Sequence, residues 1–163
     1  MRIPTIPHLP AWVRSAGHVR PGWDHGMLTA ELRMAATPST VWSIITDTTM
    51  WPQWGPTVSV AQVDGDAPLA AGVQGTVTTT VGVRLPFEIT EFVDGRVWAW
   101  TVAGVPATRH EVRPVRGGTV LSFGAPMWAA GYLPVLALAL PRIEQIARGD
   151  GRSRAARNRI GRR

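Results

Sequence analysis

From Leu85 to Phe123 the chain runs through four stretches of alternating apolar and polar residues. The links between them carry Asp94-Gly95, Gly104-Val105-Pro106 and Gly117-Gly118. Alternation with period two is the mark of half-buried strands. Parallel neighbours need crossovers of a dozen residues or more, so links this short require antiparallel hairpins. A two-residue turn at Asp94-Gly95 pairs Val93 with Arg96, Glu91 with Trp98, Ile89 with Trp100 and Phe87 with Val102. A five-residue link over 103–107 pairs Val102 with Thr108, Trp100 with His110 and Trp98 with Val112. A Gly117-Gly118 turn pairs Arg116 with Thr119, which sets His110 on the face of Leu121 and Phe123. One face then collects Phe87, Ile89, Glu91, Val93, Trp98, Trp100, Val102, Thr108, His110, Val112, Leu121 and Phe123. The other collects Glu88, Thr90, Thr101, Arg109, Glu111, Arg113 and Ser122. A one-residue slip would exchange the faces, so this separation of apolar from charged residues supports the register. The charged face is solvated, and cross-strand pairing is reason enough for its Glu and Arg residues.

Similar runs at 27–34, 57–63 and 73–81 bring the count to seven strands. Between the first two, Thr37 as a cap and Pro38 in the first turn predict a helix whose apolar side is Trp42, Ile44 and Ile45. Met50-Trp51-Pro52-Gln53-Trp54-Gly55-Pro56 reads as a turn or a very short second helix. A long helix over about 127–148 carries a stripe of Trp128, Tyr132, Val135, Leu136, Ala139, Ile143 and Ile146. Gly131, Pro134 and Pro141 predict that it is bent. The fold class is therefore α+β: a seven-stranded curved antiparallel sheet wrapped around a long C-terminal helix, with two short helices after the first strand. Residues 1–26 show neither period and read as an irregular arm. Residues 27–148 form the domain, and 149–163 read as a disordered Arg-rich tail.

Charge enters here because it is so unevenly placed. All 17 basic residues of the 163 are Arg, and seven fall within 148–163 beside one acid, Asp150. The net charge of +6 thus belongs to the tail, and the rest of the chain is neutral. A nucleic-acid-binding body spreads basic residues over one face; this body has none to spread, and no specific nucleic-acid partner is expected. The tail is available for weak contact with an anionic membrane, although solvation alone accounts for it. With no Cys in the chain, disulfides, thiolate metal sites and a Cys nucleophile are excluded, and a cytosolic setting fits. Three prolines in the first ten residues break any signal-like apolar run. The uncharged segment 125–141 falls short of the ~20 apolar residues of a spanning helix and suits a buried helix. Cytoplasmic location is expected, with membrane-peripheral attachment as the variant.

Three stretches carry a resemblance: AATPSTVWSIITDTTMWPQW over 35–54, RVWAWTVAGVPATRHEVRPVRGGT over 96–119, and PMWAAGYLPVLALALPRIEQIA over 126–147. In this order they resemble the START-like helix-grip superfamily, and most closely its polyketide cyclase/dehydrase and lipid-transport branch. The resemblance covers about 27–147. It implies a deep, mostly apolar cavity between sheet and last helix that holds a lipid, polyketide or sterol-like ligand. On the faces assigned above, the candidate ligand-binding residues are Trp54, Phe87, Ile89, Glu91, Trp98, Trp100, Thr108, His110, Leu121, Phe123, Trp128, Tyr132 and Leu136. The competing reading is that eight Trp fill the core.

His110 and Glu91 are the plainly ionisable groups expected on the inner face. His110 is the candidate catalytic acid–base residue, with Tyr132 or Thr108 as orienting donors, in a cyclase- or aromatase-like enzyme. The favoured expectation is binding without chemistry, because the inner face offers no Arg or Lys to steady an enolate. Glu91 and His110 lie two strands apart, roughly 10 Å or more, too far for a direct dyad. Trp51 and Trp54 flank Pro52 near the expected pocket mouth. His8, His18 and His25 match no metal-site spacing, and neither metal nor cofactor is expected. A third possibility is a peripheral membrane protein acting through the tail and the apolar segment. Oligomeric state stays open.

Overall fold

The computed structural model of this chain describes residues 18–160, the last eight of them as backbone alone. In chain order the elements are β1 (Arg20–Asp24), β2 (Met27–Met34), α1 (Pro38–Thr46), a 3-10 turn (Thr48–Met50) running into α2 (Trp51–Trp54), β3 (Val58–Val63), β4 (Gln74–Thr79), β5 (Arg84–Val93), β6 (Val97–Val102), β7 (Val105–Val115) and β8 (Gly118–Pro126). A second 3-10 turn (Asp64–Asp66) follows β3, and a third (Met127–Tyr132) leads from β8 into α3 (Leu133–Ile160). The strands form one antiparallel sheet in the order β1-β2-β8-β7-β6-β5-β4-β3. Only the β2–β8 pair joins strands distant in sequence.

Local chemistry sets the elements after β2. The Thr37 hydroxyl accepts the Thr40 amide at 3.2 Å and Pro38 occupies the first turn, so α1 starts where both signals say it should. Asp47 ends it and caps the next turn by accepting the Thr49 amide at 2.9 Å. Val41, Ile44 and Ile45 face inward. Trp51 Nε1 donates to the Ile45 carbonyl at 3.0 Å, tying α2 to α1. Gly75 of β4 is required by close approach. A Cβ there would stand 2.2 Å from the Gln62 carbonyl and 2.5 Å from the Phe87 ring that covers it. The core fills the space between the inner sheet face and the helices, with Leu32, Val41, Ile45, Trp98, Leu121, Phe123, Leu140 and Ile143 out of contact with solvent.

The structure departs from the sequence reading in four places. There are eight strands, because Arg20–Asp24 in the supposed irregular arm pairs with β2. Pro21 is tolerated since β1 is an edge strand. His25 (φ 48°) and Gly26 (φ 73°) make the left-handed two-residue turn typical of hairpins. At the other end α3 continues to Ile160, through much of the expected disordered tail. A helix already nucleated by packing extends at little cost, and Arg and Ala are good helix formers. Among the residues whose side chains are described, Ala147 is the last buried one of this helix.

The third departure is in the hairpins. The β6–β7 link is a two-residue turn at Ala103 (φ 51°) and Gly104 (φ 75°), followed by a bulge, and His110 pairs with Trp98 rather than Trp100. The β7–β8 pairing shifts by two, with His110 opposite Phe123, and so keeps every face as assigned. The β5–β6 turn spans three residues, and a bulge lies between Ile89 and Glu91. An extra residue in one strand inverts the alternation beyond it. Phe92 therefore turns inward against Trp42, Val93 is exposed, and Glu91 lies on the outer face. Finally, the inward stripe of α3 is Leu136, Ala139, Leu140, Ile143, Glu144 and Ala147, whereas Trp128 is 68% exposed.

Candidate functional site

Between the inner sheet face, α2 with its following loop, and the start of α3 lies a cavity of about 510 Å³. The sheet contributes Val77, Thr79, Leu85, Trp98, Trp100, Val102, Ala107, Thr108 and His110 to its wall. The α2 segment contributes Trp51, Trp54, Gly55, Pro56, Thr57 and Val58, and the last helix and its approach contribute Trp128, Tyr132, Val135, Leu136 and Ala139. No Asp, Glu, Lys or Arg is among the lining residues.

Four indoles shape the wall. Trp51 and Trp98 stack with ring centres 5.2 Å apart and planes 1° from parallel. Trp100 meets both edge-on, at 5.1 Å and 5.8 Å, each at 77°. Trp54 stands 6.3 Å from Trp51 in an edge contact. Trp51 and Trp54 are three residues apart on one helical turn, so they share a face. Both are buried, where the sequence placed them at the mouth.

His110 is fixed by a short relay. Trp100 Nε1 donates to Thr108 Oγ1 at 2.9 Å, and Thr108 Oγ1 lies 3.1 Å from His110 Nε2. The Thr108 hydroxyl can donate to Nε2 or accept a proton from it, so this contact fits either neutral tautomer of the ring. The imidazole is stacked on Trp98 at 3.8 Å and meets Phe123 edge-on at 4.4 Å. Burial pushes its pKa down to about 3; the Trp98 backbone opposes this only in part. The ring is neutral at physiological pH. Tyr132 places its hydroxyl 2.5 Å from that of Thr57, joining the approach to α3 to the loop after α2.

Of the residues singled out from sequence, Trp54, Trp98, Trp100, Thr108, His110, Trp128, Tyr132 and Leu136 come together in the wall. Phe87, Ile89, Leu121 and Phe123 face inward as expected but are core beyond the lining, Phe87 touching Trp51 and Trp100, and Phe123 touching Trp54 and His110. Glu91 is a correction. The bulge carries it to the outer face, where both its oxygens take Arg109, at 2.9 and 3.2 Å. Lining residues outside the sequence-derived ligand set include Trp51, which the sequence placed only near the mouth, and Thr57, Val58, Val77, Thr79 and Leu85. The i, i+3 spacing of Trp51 and Trp54 was the available signal for the first.

The outer face holds a second group of ionisable side chains. Donor atoms of Asp24, His25 and Glu111 all lie within 4.8 Å of one another. Asp24 is bonded to His25 Nδ1 at 2.9 Å, which holds its pKa below the usual carboxylate value. Glu111 is bonded to Arg109 at 2.7 Å. Glu91 and then Glu111 raise the Arg109 pKa further still. Each carboxylate of this group has a basic partner, Asp24 in His25 and both Glu91 and Glu111 in Arg109. Among the described residues no helix is long and apolar enough to cross a membrane.

The same fold recurs in solved structures. A protein from Nitrosomonas europaea aligns with a TM-score of 0.62 at 18% identity, covering 79% of this chain and 99% of that one. A protein from Mycobacterium smegmatis gives 0.57 at 20% identity, covering 83% and 99%. The Aha1 dimer from Colwellia psychrerythraea gives 0.54 at 13% identity, covering 71% and 91%. At such identities the likeness is one of fold. No curated protein sequence matches the chain. The family model described as polyketide cyclase/dehydrase and lipid transport matches residues 26–146, a span that runs from the β1–β2 turn to the last turns of α3 packed on the sheet. With that match, and with an antiparallel sheet gripping a long C-terminal helix, the chain belongs to the polyketide cyclase/dehydrase and lipid transport family of START-like proteins.

Proposed function

We propose that this domain binds an uncharged hydrophobic small molecule in the cavity between the sheet and α3. The supporting observation is the lining: about 510 Å³ bounded by aromatic and aliphatic side chains, with a few hydroxyls and no charged group. Ligand sites are typically clefts of roughly 300–1,000 Å³ of this character. A charged head inside such a wall would lose its hydration with nothing to replace it. Lipids, sterols and polyketides without an ionised group at the buried end all meet this condition.

Neither alternative is favoured. A base whose pKa is about 3 has little affinity for a substrate proton at neutral pH, so His110 is poorly suited to acid–base catalysis. Membrane attachment through the Arg-rich segment together with the apolar mouth would need both at one surface. Arg148 lies twelve residues along α3 from Leu136 in the cavity wall, about 18 Å at the rise of an α-helix.

The test is a matched pair of probes, N-phenyl-1-naphthylamine and its sulfonated relative 8-anilino-1-naphthalenesulfonate. The uncharged probe should bind saturably at one site, at least about tenfold more tightly than the anion. Leu136→Trp, which fills the cavity, should abolish that binding. Absence of saturable binding by the uncharged probe, or a preference for the anion, overturns the proposal.

A further inference from the structure

Among the described residues, three buried side-chain nitrogens or oxygens find no hydrogen-bond partner: Trp54 Nε1, Trp98 Nε1 and His110 Nδ1. All three belong to residues of the cavity wall. The rings are neighbours, His110 lying 3.8 Å from Trp98 and 6.3 Å from Trp54 between centres. An unmade hydrogen bond on a buried donor is costly, and three in one wall are not expected of a mere core.

Two of the three have a fixed sign. An indole nitrogen only donates. His110 Nδ1 joins them as a donor in the tautomer that carries the ring proton there. The Phe123 face beside His110 is at best a weak acceptor. We infer that the deep wall of the cavity recognises an uncharged hydrogen-bond acceptor on its guest, a carbonyl or ether oxygen, because Trp54 and Trp98 place two unpartnered indole donors there, both beside the His110 ring. This rests on the cavity being a binding site and narrows the class of ligand it takes. Each nitrogen is covered by neighbouring atoms, so a guest must tilt a ring to reach one, and the bond gained offsets that tilt. A carboxylate is rejected at the same place, since neutral donors do not repay the desolvation of a charge.

The experiment compares 9-fluorenone with fluorene, flat uncharged molecules of nearly the same shape that differ by one carbonyl oxygen. Isothermal titration calorimetry on the whole chain should find fluorenone about threefold to tenfold tighter, the worth of one neutral hydrogen bond, although fluorene is the more hydrophobic. Trp54→Phe, Trp98→Phe and His110→Phe each keep an aromatic ring and remove an unpartnered nitrogen. In at least one of them the preference should fall to about one, with fluorene affinity little changed. Independently of any variant, fluorenone and not fluorene should shift the ¹⁵N–H resonance of His110 Nδ1 or of an indole in the unaltered protein. Saturable binding of both probes with equal affinity, or tighter binding of fluorene, overturns the assignment of an acceptor. Binding of neither overturns the cavity reading and this inference together.

Discussion

Arg109 and His110 are consecutive residues of β7 and live in different media. Arg109 is on the outer face, holding Glu91 and Glu111 within hydrogen-bond distance, and stays charged. His110 is on the inner face, held by one hydroxyl among three aromatic rings, and stays neutral. One strand thus separates a surface that pairs its charges from an interior that admits none. The contrast shows how an antiparallel sheet makes a binding wall: alternation supplies the two chemistries, and only the inner one needs a helix across it.

The contrast can be broken most severely from the inside. Trp98→Ala removes a fully buried ring that stacks on both Trp51 and His110, and should cost about 3–5 kcal/mol in urea unfolding. An exposed outer-face change such as Glu88→Ala should cost a few tenths at most by the same assay. Acid is the next lever. Unfolded His110 takes up a proton near its ordinary value of 6.5, whereas the folded residue refuses it down to about 3. Stability attributable to this group is complete above that ordinary value and is lost as pH falls through the interval, by about 1.4 kcal/mol per pH unit. Thermal melts from pH 7 to 5 should show the slope, and His110→Gln should flatten it.

On the outer face, Arg109→Met should cost roughly 1 kcal/mol or less, because Glu91 is 41% exposed and water screens the pair. That loss should shrink further in high salt, while the Trp98→Ala loss should not. Of similar size, Tyr132→Phe deletes the bond to Thr57 and should lower stability by about 0.5–1 kcal/mol. A larger loss there would mean that the approach to α3 depends on that bond rather than on packing.

Face assignment was legible from sequence where strands were regular, because alternation survives even a register error of two. That is why the sequence pairing of β7 with β8 was displaced and yet put His110, Leu121 and Phe123 correctly inside. Bulges are not legible in the same way. The stretch Thr90-Glu91-Phe92-Val93 did hold a clue, since placing Glu91 inside left Phe92 outside, and one extra residue exchanges them. β1 was hidden by Pro21 and Gly22, which weaken the strand signal in sequence and are readily accommodated in an edge strand. The extent of the cavity was not legible at all. It depends on how far α2 and α3 stand from the sheet, which is why Phe87, Ile89, Leu121 and Phe123 could be put on the right face and still lie outside the lining.

The parallel pair Trp51 and Trp98, with Trp100 edge-on to both, has an optical consequence. Indoles this close share their electronic excitation, so their absorption bands split and give a signed couplet in near-ultraviolet circular dichroism. The couplet's sign and size depend on the angles between the rings. Since all three rings line the cavity, a guest that alters those angles changes the couplet, and the domain carries its own spectroscopic record of whether the cavity is filled.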